Sequence, residues 1–62
     1  MTELCVSIEY ALITPMILVA RIEDAIPCFV SWFDNDEDYF DICVEARVED
    51  MGFVESILAE YV

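Results

Sequence analysis

The side chains of this chain that could do chemistry are almost all carboxylates. Fourteen Asp or Glu stand against two Arg, with no Lys and no His, and the 62 residues carry a net charge of −12. Asp34, Asp36, Asp38 and Glu45 fall at positions 1, 3, 5 and 12 of a calcium-binding EF-hand loop. The sixth position of such a loop requires Gly for its sharp turn, and here it is Tyr39. Residues 40–45 also alternate as a strand, so a hairpin replaces the flanking helices. The spacing describes a dense carboxylate cluster, with weak calcium binding as one reading and no true EF-hand.

Paired carboxylates can also act as general acid and base, but only in a cleft that holds substrate and pushes one pKa upward. A chain this short has little room for such a cleft. It also lacks a His, a Lys, a Gly-rich nucleotide loop or a base-partnered Cys. No enzymatic activity is expected. Cys5, Cys28 and Cys43 are odd in number and form no Cys-x-x-Cys pair, which argues against a disulfide framework and against zinc. They read as three reduced, small apolar residues in or near a core. No metal and no cofactor are expected.

With 60% hydrophobic residues the chain is too apolar to be a solvated coil. Its length fits one compact acidic domain over residues 1–62. Phe40, Ile42, Val44, Ala46 and Val48 alternate with Tyr39, Asp41, Cys43, Glu45 and Arg47, the period of a half-buried strand. Cys28 to Phe33 is a second strand-like run, and the acidic stretch between the two favours a turn, so residues 28–48 read as a β-hairpin. Asp50 is placed to cap a helix over residues 51–61, whose Met51, Val54, Ile57, Leu58 and Tyr61 share one face. Leu4, Val6, Ile8, Tyr10 and Leu12 alternate as a further strand. Thr14-Pro15 then opens a helix that Pro27 closes, with Leu18, Val19, Ile22, Ala25 and Ile26 on one face. The expected fold is α+β, β-α-β-β-α, a three-stranded antiparallel sheet with two helices on one face. The alternative is α-β-β-β-α, with a first helix over residues 3–13.

Charge is concentrated in the second half, which sums to −9 against −3 for residues 1–31. Asp34, Asp36, Glu37, Asp38 and Asp41 lie at the hairpin tip, and Glu45 continues them along the strand. A chain of this size should have a diameter of roughly 27 Å, so its net charge amounts to about one per 2.2 Å, against about one per 1.7 Å for duplex DNA. Such a surface should attract proteins built to hold nucleic acid. The plainer reading is a solvated acidic face, although solubility alone needs a net charge of only about 2–8 in magnitude. Trp32 and Phe40 read as packing residues, and Tyr39, on the same side as Asp41, as a contact residue. Two arginines cannot neutralise a useful number of phosphates, so no direct binding to nucleic acid is expected. The longest uncharged run, Tyr10 to Ala20, has 11 residues where a membrane helix needs about 20. The N-terminus lacks the positive charges of a signal peptide, so a cytoplasmic location without membrane contact is expected.

A short α+β chain lacking Lys and His, with Asp34-Asn35-Asp36-Glu37-Asp38 followed by Asp41 and Glu45, resembles the small acidic anti-CRISPR proteins of phages. Those that inhibit type I systems are the nearest in size. The likeness covers the whole chain in size and charge, and residues 34–45 locally. It implies a non-enzymatic inhibitor acting in the bacterial host cytoplasm on the Cascade surveillance complex or its nuclease. Some members occupy the basic channel or PAM-reading surface where target duplex would enter. On this reading the chain is a monomer. Its Asp34, Asp36, Glu37, Asp38, Asp41, Glu45 and Tyr39 mimic DNA against a basic surface of a Cascade subunit. A small structural or antitoxin-like dimerisation module is the alternative, since the apolar content is more than so small a core need absorb.

Overall fold

The computed structural model describes residues 1–62, all of the chain. The elements run β1 (Thr2–Glu9), α1 (Pro15–Glu23), β2 (Cys28–Asp34), β3 (Tyr39–Ala46) and α2 (Met51–Leu58). Short 3-10 turns at Val48–Asp50 and Ala59–Tyr61 flank α2. The order is the expected β-α-β-β-α, and the alternative with a first helix is wrong. All pairing is antiparallel, in the spatial order β1-β3-β2. The hairpin β2–β3 therefore brings β3 into the middle, and α1 carries the chain from one edge of the sheet to the other.

β3 can take the central place because its alternation is the cleanest in the chain. Phe40, Ile42, Val44 and Ala46 are fully buried on one face, and both helices cover that face. They meet Ile8 of β1, Leu18 and Ile22 of α1, and Met51, Val54, Ile57 and Leu58 of α2. Phe40 is the largest fully buried side chain. Tyr10 tilts against it at 5.1 Å between ring centroids, and Trp32 meets it edge-on at 6.2 Å, as aromatic quadrupoles favour. The radius of gyration is 10.8 Å, what a folded chain of this length should have.

Element ends depart from the sequence reading for identifiable reasons. β1 stops at Glu9 because its partner strand begins at Tyr39, the residue opposite. Tyr10 donates its N–H to the Asp38 carbonyl at 2.9 Å, the chain then turns, and Leu12 is left exposed. β3 stops at Ala46, which faces the first residue of β2, so Val48 lies outside the sheet and is 76% exposed. Thr14 precedes α1 in extended conformation without a side-chain cap, and Pro15 takes the first helical position. The helix closes at Glu23, before Pro27. Asp50 does not cap α2: it already lies in helical conformation, and its carboxylate is held by Arg47 at 3.1 Å.

The helical layer is tied together at its exposed rim. Arg21 of α1 donates to both oxygens of Glu60, at 3.0 and 2.8 Å, and to the Tyr61 hydroxyl at 2.6 Å. These hydrogen bonds hold the Glu60 carboxyl below its ordinary range. A lowered carboxyl pKa contributes stability above the unfolded-state pKa, and that contribution is lost as pH falls through the folded value. In an NMR pH titration Glu60 should therefore titrate below the ordinary glutamate range, and Arg21→Ala should raise it toward that range. Phe40→Ala should cost about 3–5 kcal/mol. In a domain whose whole stability is about 3–9 kcal/mol, that should leave the protein largely or wholly unfolded by circular dichroism.

Candidate functional site

The acidic hairpin is built by its own side chains. Asn35 and Asp36 donate their N–H groups to the Tyr39 carbonyl at 3.1 and 3.2 Å. The Asp36 carboxylate turns inward, where Oδ1 accepts the N–H groups of Asp38 at 2.8 Å and Tyr39 at 2.9 Å. This is the local bonding that makes Asp a turn former. Asp41 Oδ1 accepts from Ser7 Oγ across the sheet and from Asn35 Nδ2 at 3.1 Å. Asp34 Oδ1 accepts the Tyr10 hydroxyl. Glu37, Asp38 and Glu45 make no side-chain hydrogen bond and stand free in solvent.

The seven residues singled out from the sequence form three groups. Asp36, Glu37 and Asp38 occupy the turn. Tyr39, Asp41 and Glu45 share the open face of the sheet, the one no helix covers. Asp34 stands opposite Phe40, so the pleat sends its side chain to the helix side, next to Tyr10 and Trp32. The tip is thus acidic on both sides of the sheet rather than along one line. Trp32 is half-buried against Phe40, as expected of a packing residue, and Tyr39 is exposed.

The open face also holds side chains that were not among the contact residues expected from the sequence. β1 pairs with β3 so that Glu3 faces Glu45, Ser7 faces Asp41 and Glu9 faces Tyr39. On the other side of β3, Phe29 faces Glu45 and Phe33 faces Asp41. Glu3 and Glu9 therefore belong to the same surface as the hairpin acids. Phe29 and Phe33 are 69% and 60% exposed beside them. The alternation of Glu3, Cys5, Ser7 and Glu9 was readable as one polar row. That this row would lie against β3 depends on strand order.

Cations are kept away from the hairpin tip. Arg21 is bound to Glu60, and Arg47 pairs with Glu49 at 3.3 Å and with Asp50, just beyond the end of β3 that lies away from the tip. The N-terminal amine precedes Thr2, at that same end. Over the longest dimension of 33 Å, the net charge of −12 amounts to about one per 2.8 Å. That is sparser than the sequence reading and than duplex DNA, because the molecule is elongated.

The cysteines correct the sequence reading. Cys5 and Cys43 are not core residues: they face each other on the open side of the sheet, with a Cα–Cα distance of 4.1 Å, and form a disulfide. Their sequence separation of 38 hides a pairing that only the β1–β3 register creates. Cys28 is the free thiol, half-buried on the helix side, and burial pushes its pKa up. Glu3, Cys5 and Cys43 form the one cluster of potential metal ligands, and its two sulfurs are consumed by the disulfide. The EF-hand positions are not brought together, since Asp34 and Glu45 point to opposite faces. Both surface hollows are open: one is lined by Tyr10, Trp32, Asp34, Asp36 and Glu37, the other includes Ser7, Phe33 and Asp41. No helix is long and apolar enough to cross a membrane. No protein-family model, curated protein or solved structure matches this chain.

The disulfide closes a loop of 38 residues, which in the chain-entropy account is worth about 3–4 kcal/mol. Because the core lies on the other face, Cys5→Ser with Cys43→Ser should keep the native circular dichroism spectrum. The denaturant midpoint of the double variant should fall and become insensitive to reductant, while that of the parent protein drops on reduction.

Proposed function

We propose that this domain is a non-enzymatic inhibitor that occupies the cationic surface of a DNA-binding protein and so competes with duplex DNA. Following the resemblance of residues 34–45, the target is a type I CRISPR Cascade complex or its nuclease, and the site of action is the host cytoplasm. The observation that supports this most is the separation of charge. The hairpin tip and open face hold carboxylates with no base among them, while both arginines are paired elsewhere.

The carboxylates suit this role in two ways. Glu37, Asp38 and Glu45 have both oxygens free. Asp34, Asp36 and Asp41 use Oδ1 internally and keep Oδ2 for a partner. The second group is held in place before binding, which lowers the ordering cost of association. Arg–carboxylate forks then supply short, charge-assisted hydrogen bonds. Tyr39 offers a face on which a guanidinium can stack. In a reducing cytosol Cys5 and Cys43 would stand as thiols. The reading does not need the disulfide, because the core is built without it.

Affinity capture from a CRISPR-bearing bacterial lysate, with duplex DNA as competitor, tests the reading. It should recover a nucleic-acid-binding protein that added duplex or added salt displaces. Recovery of no such protein would sink the proposal. Asp36→Asn, Glu37→Gln and Asp38→Asn together should weaken binding by at least about tenfold, since hydrogen bonds to charged groups are worth ~1.5–3 kcal/mol each. The same charge change on the helical side, with Glu23→Gln, Asp24→Asn and Glu55→Gln, should weaken it much less. Equal losses would mean attraction by net charge alone.

A further inference from the structure

We propose that β2 pairs edge to edge with β2 of a second copy, antiparallel about a two-fold axis through Ser31, to give one six-stranded sheet. The inference stands apart from the inhibitor reading and rests on the ladder, the residue pattern and the charge distribution.

The ladder shows which backbone groups are free. At 4.1 Å between Cα atoms, Cys5 and Cys43 are a narrow, non-hydrogen-bonded pair. Cys43 therefore turns its N–H and C=O toward β2, and Ser31, opposite it, turns its own back. The Tyr10 to Asp38 bond at 2.9 Å and the Asn35 to Tyr39 bond at 3.1 Å keep the same parity. Hence Cys28, Val30, Trp32 and Asp34 present their backbone groups along the outer edge of β2, where no other strand lies. The other edge strand, β1, carries Glu3 and Glu9, charges that discourage pairing with a further strand. β2 has no charge and no Pro from Cys28 to Phe33.

The strand is self-complementary about Ser31. Antiparallel pairing there sets Phe29 against Phe33 of the second copy, twice, in narrow pairs where side chains come closest. Those are the two aromatic rings left most exposed, at 69% and 60%. Val30 and Trp32 of the two copies then exchange the backbone hydrogen bonds. Charge fits the same geometry. Asp34 falls opposite Cys28 of the second copy, at the far end of its β2, so the two acidic tips are kept apart.

Both copies carry −12, so added salt should strengthen this dimer, the opposite of its effect on a cationic partner. Sedimentation of the full chain over a range of concentrations should show a monomer–dimer equilibrium shifted to dimer by NaCl. Val30→Pro removes an outward N–H without breaking the ladder, and Ser31→Glu sets two carboxylates against each other at the axis. Each should weaken the dimer by at least about tenfold with the circular dichroism spectrum unchanged, while Ala20→Glu, on the exposed side of α1, should not. Ser31→Cys should give a covalent dimer on oxidation, through its new thiol and not through Cys28, which the register holds away from its twin. A protein that stays monomeric at every salt and protein concentration would overturn the proposal. So would a dimer indifferent to both Val30→Pro and Ser31→Glu, or one crosslinked through Cys28. Loss of the dimer would leave capture of a DNA-binding protein unaffected, so the two proposals can fail independently.

Discussion

The pleat of one strand, β3, governs this molecule. Successive side chains on a strand point to opposite faces, so the same eight residues that supply Phe40, Ile42, Val44 and Ala46 to the core must present Tyr39, Asp41, Cys43 and Glu45 on the other side. Because β3 is central, both rows are extended by β1 and β2 in register. The buried row gains Ile8 and the half-buried Val30 and Trp32, and the exposed row gains Glu3, Glu9, Phe29 and Phe33. Core and surface are therefore not separate pieces of sequence. A one-residue slip in register would bury the acids and expose the core together.

This arrangement sets how the charge is tolerated. Glu3 opposite Glu45 is a like-charge pair, which is destabilising in a sheet, and the hairpin tip gathers more carboxylates still. Hydrogen bonds that each engage one carboxylate oxygen offset part of that repulsion, from Ser7 and Asn35 to Asp41 and from Tyr10 to Asp34. The Cys5–Cys43 link lies across the same face, between the two strands that carry the opposed acids. Neither arginine is used to neutralise this surface. Arg21 joins the two ends of the helical layer, and Arg47 holds the turn leading into α2. The repulsion left on the open face is what a cationic partner would relieve.

The exposed aromatics and the acids occupy different places. Phe29 and Phe33 stand on the edge strand, where a side chain can meet another sheet, whereas the acids lie at the tip and along β1 and β3. The two proposed associations therefore use different parts of one small domain. Electrostatics would separate them: salt would screen attraction to a basic partner, and would lessen the repulsion between like-charged copies.

Element type, element order and the buried positions of β3 and α2 were legible in the sequence, because period-two and helical alternation are local properties that a few residues suffice to express. So were the turn at residues 35–38, where Asp36 accepts the backbone N–H groups of Asp38 and Tyr39, and the exclusion of histidine or nucleotide-loop chemistry. What the sequence left open was what stands beside what. Cys5 and Cys43 meet although 38 positions apart, and Glu3, Glu9, Phe29 and Phe33 join the hairpin's surface only because β3 lies between β1 and β2. Asp34 leaves that surface because its parity in β2 turns it to the helix side. Strand order and register are settled by which rows of side chains can be buried together, a condition on the whole chain that no local pattern contains.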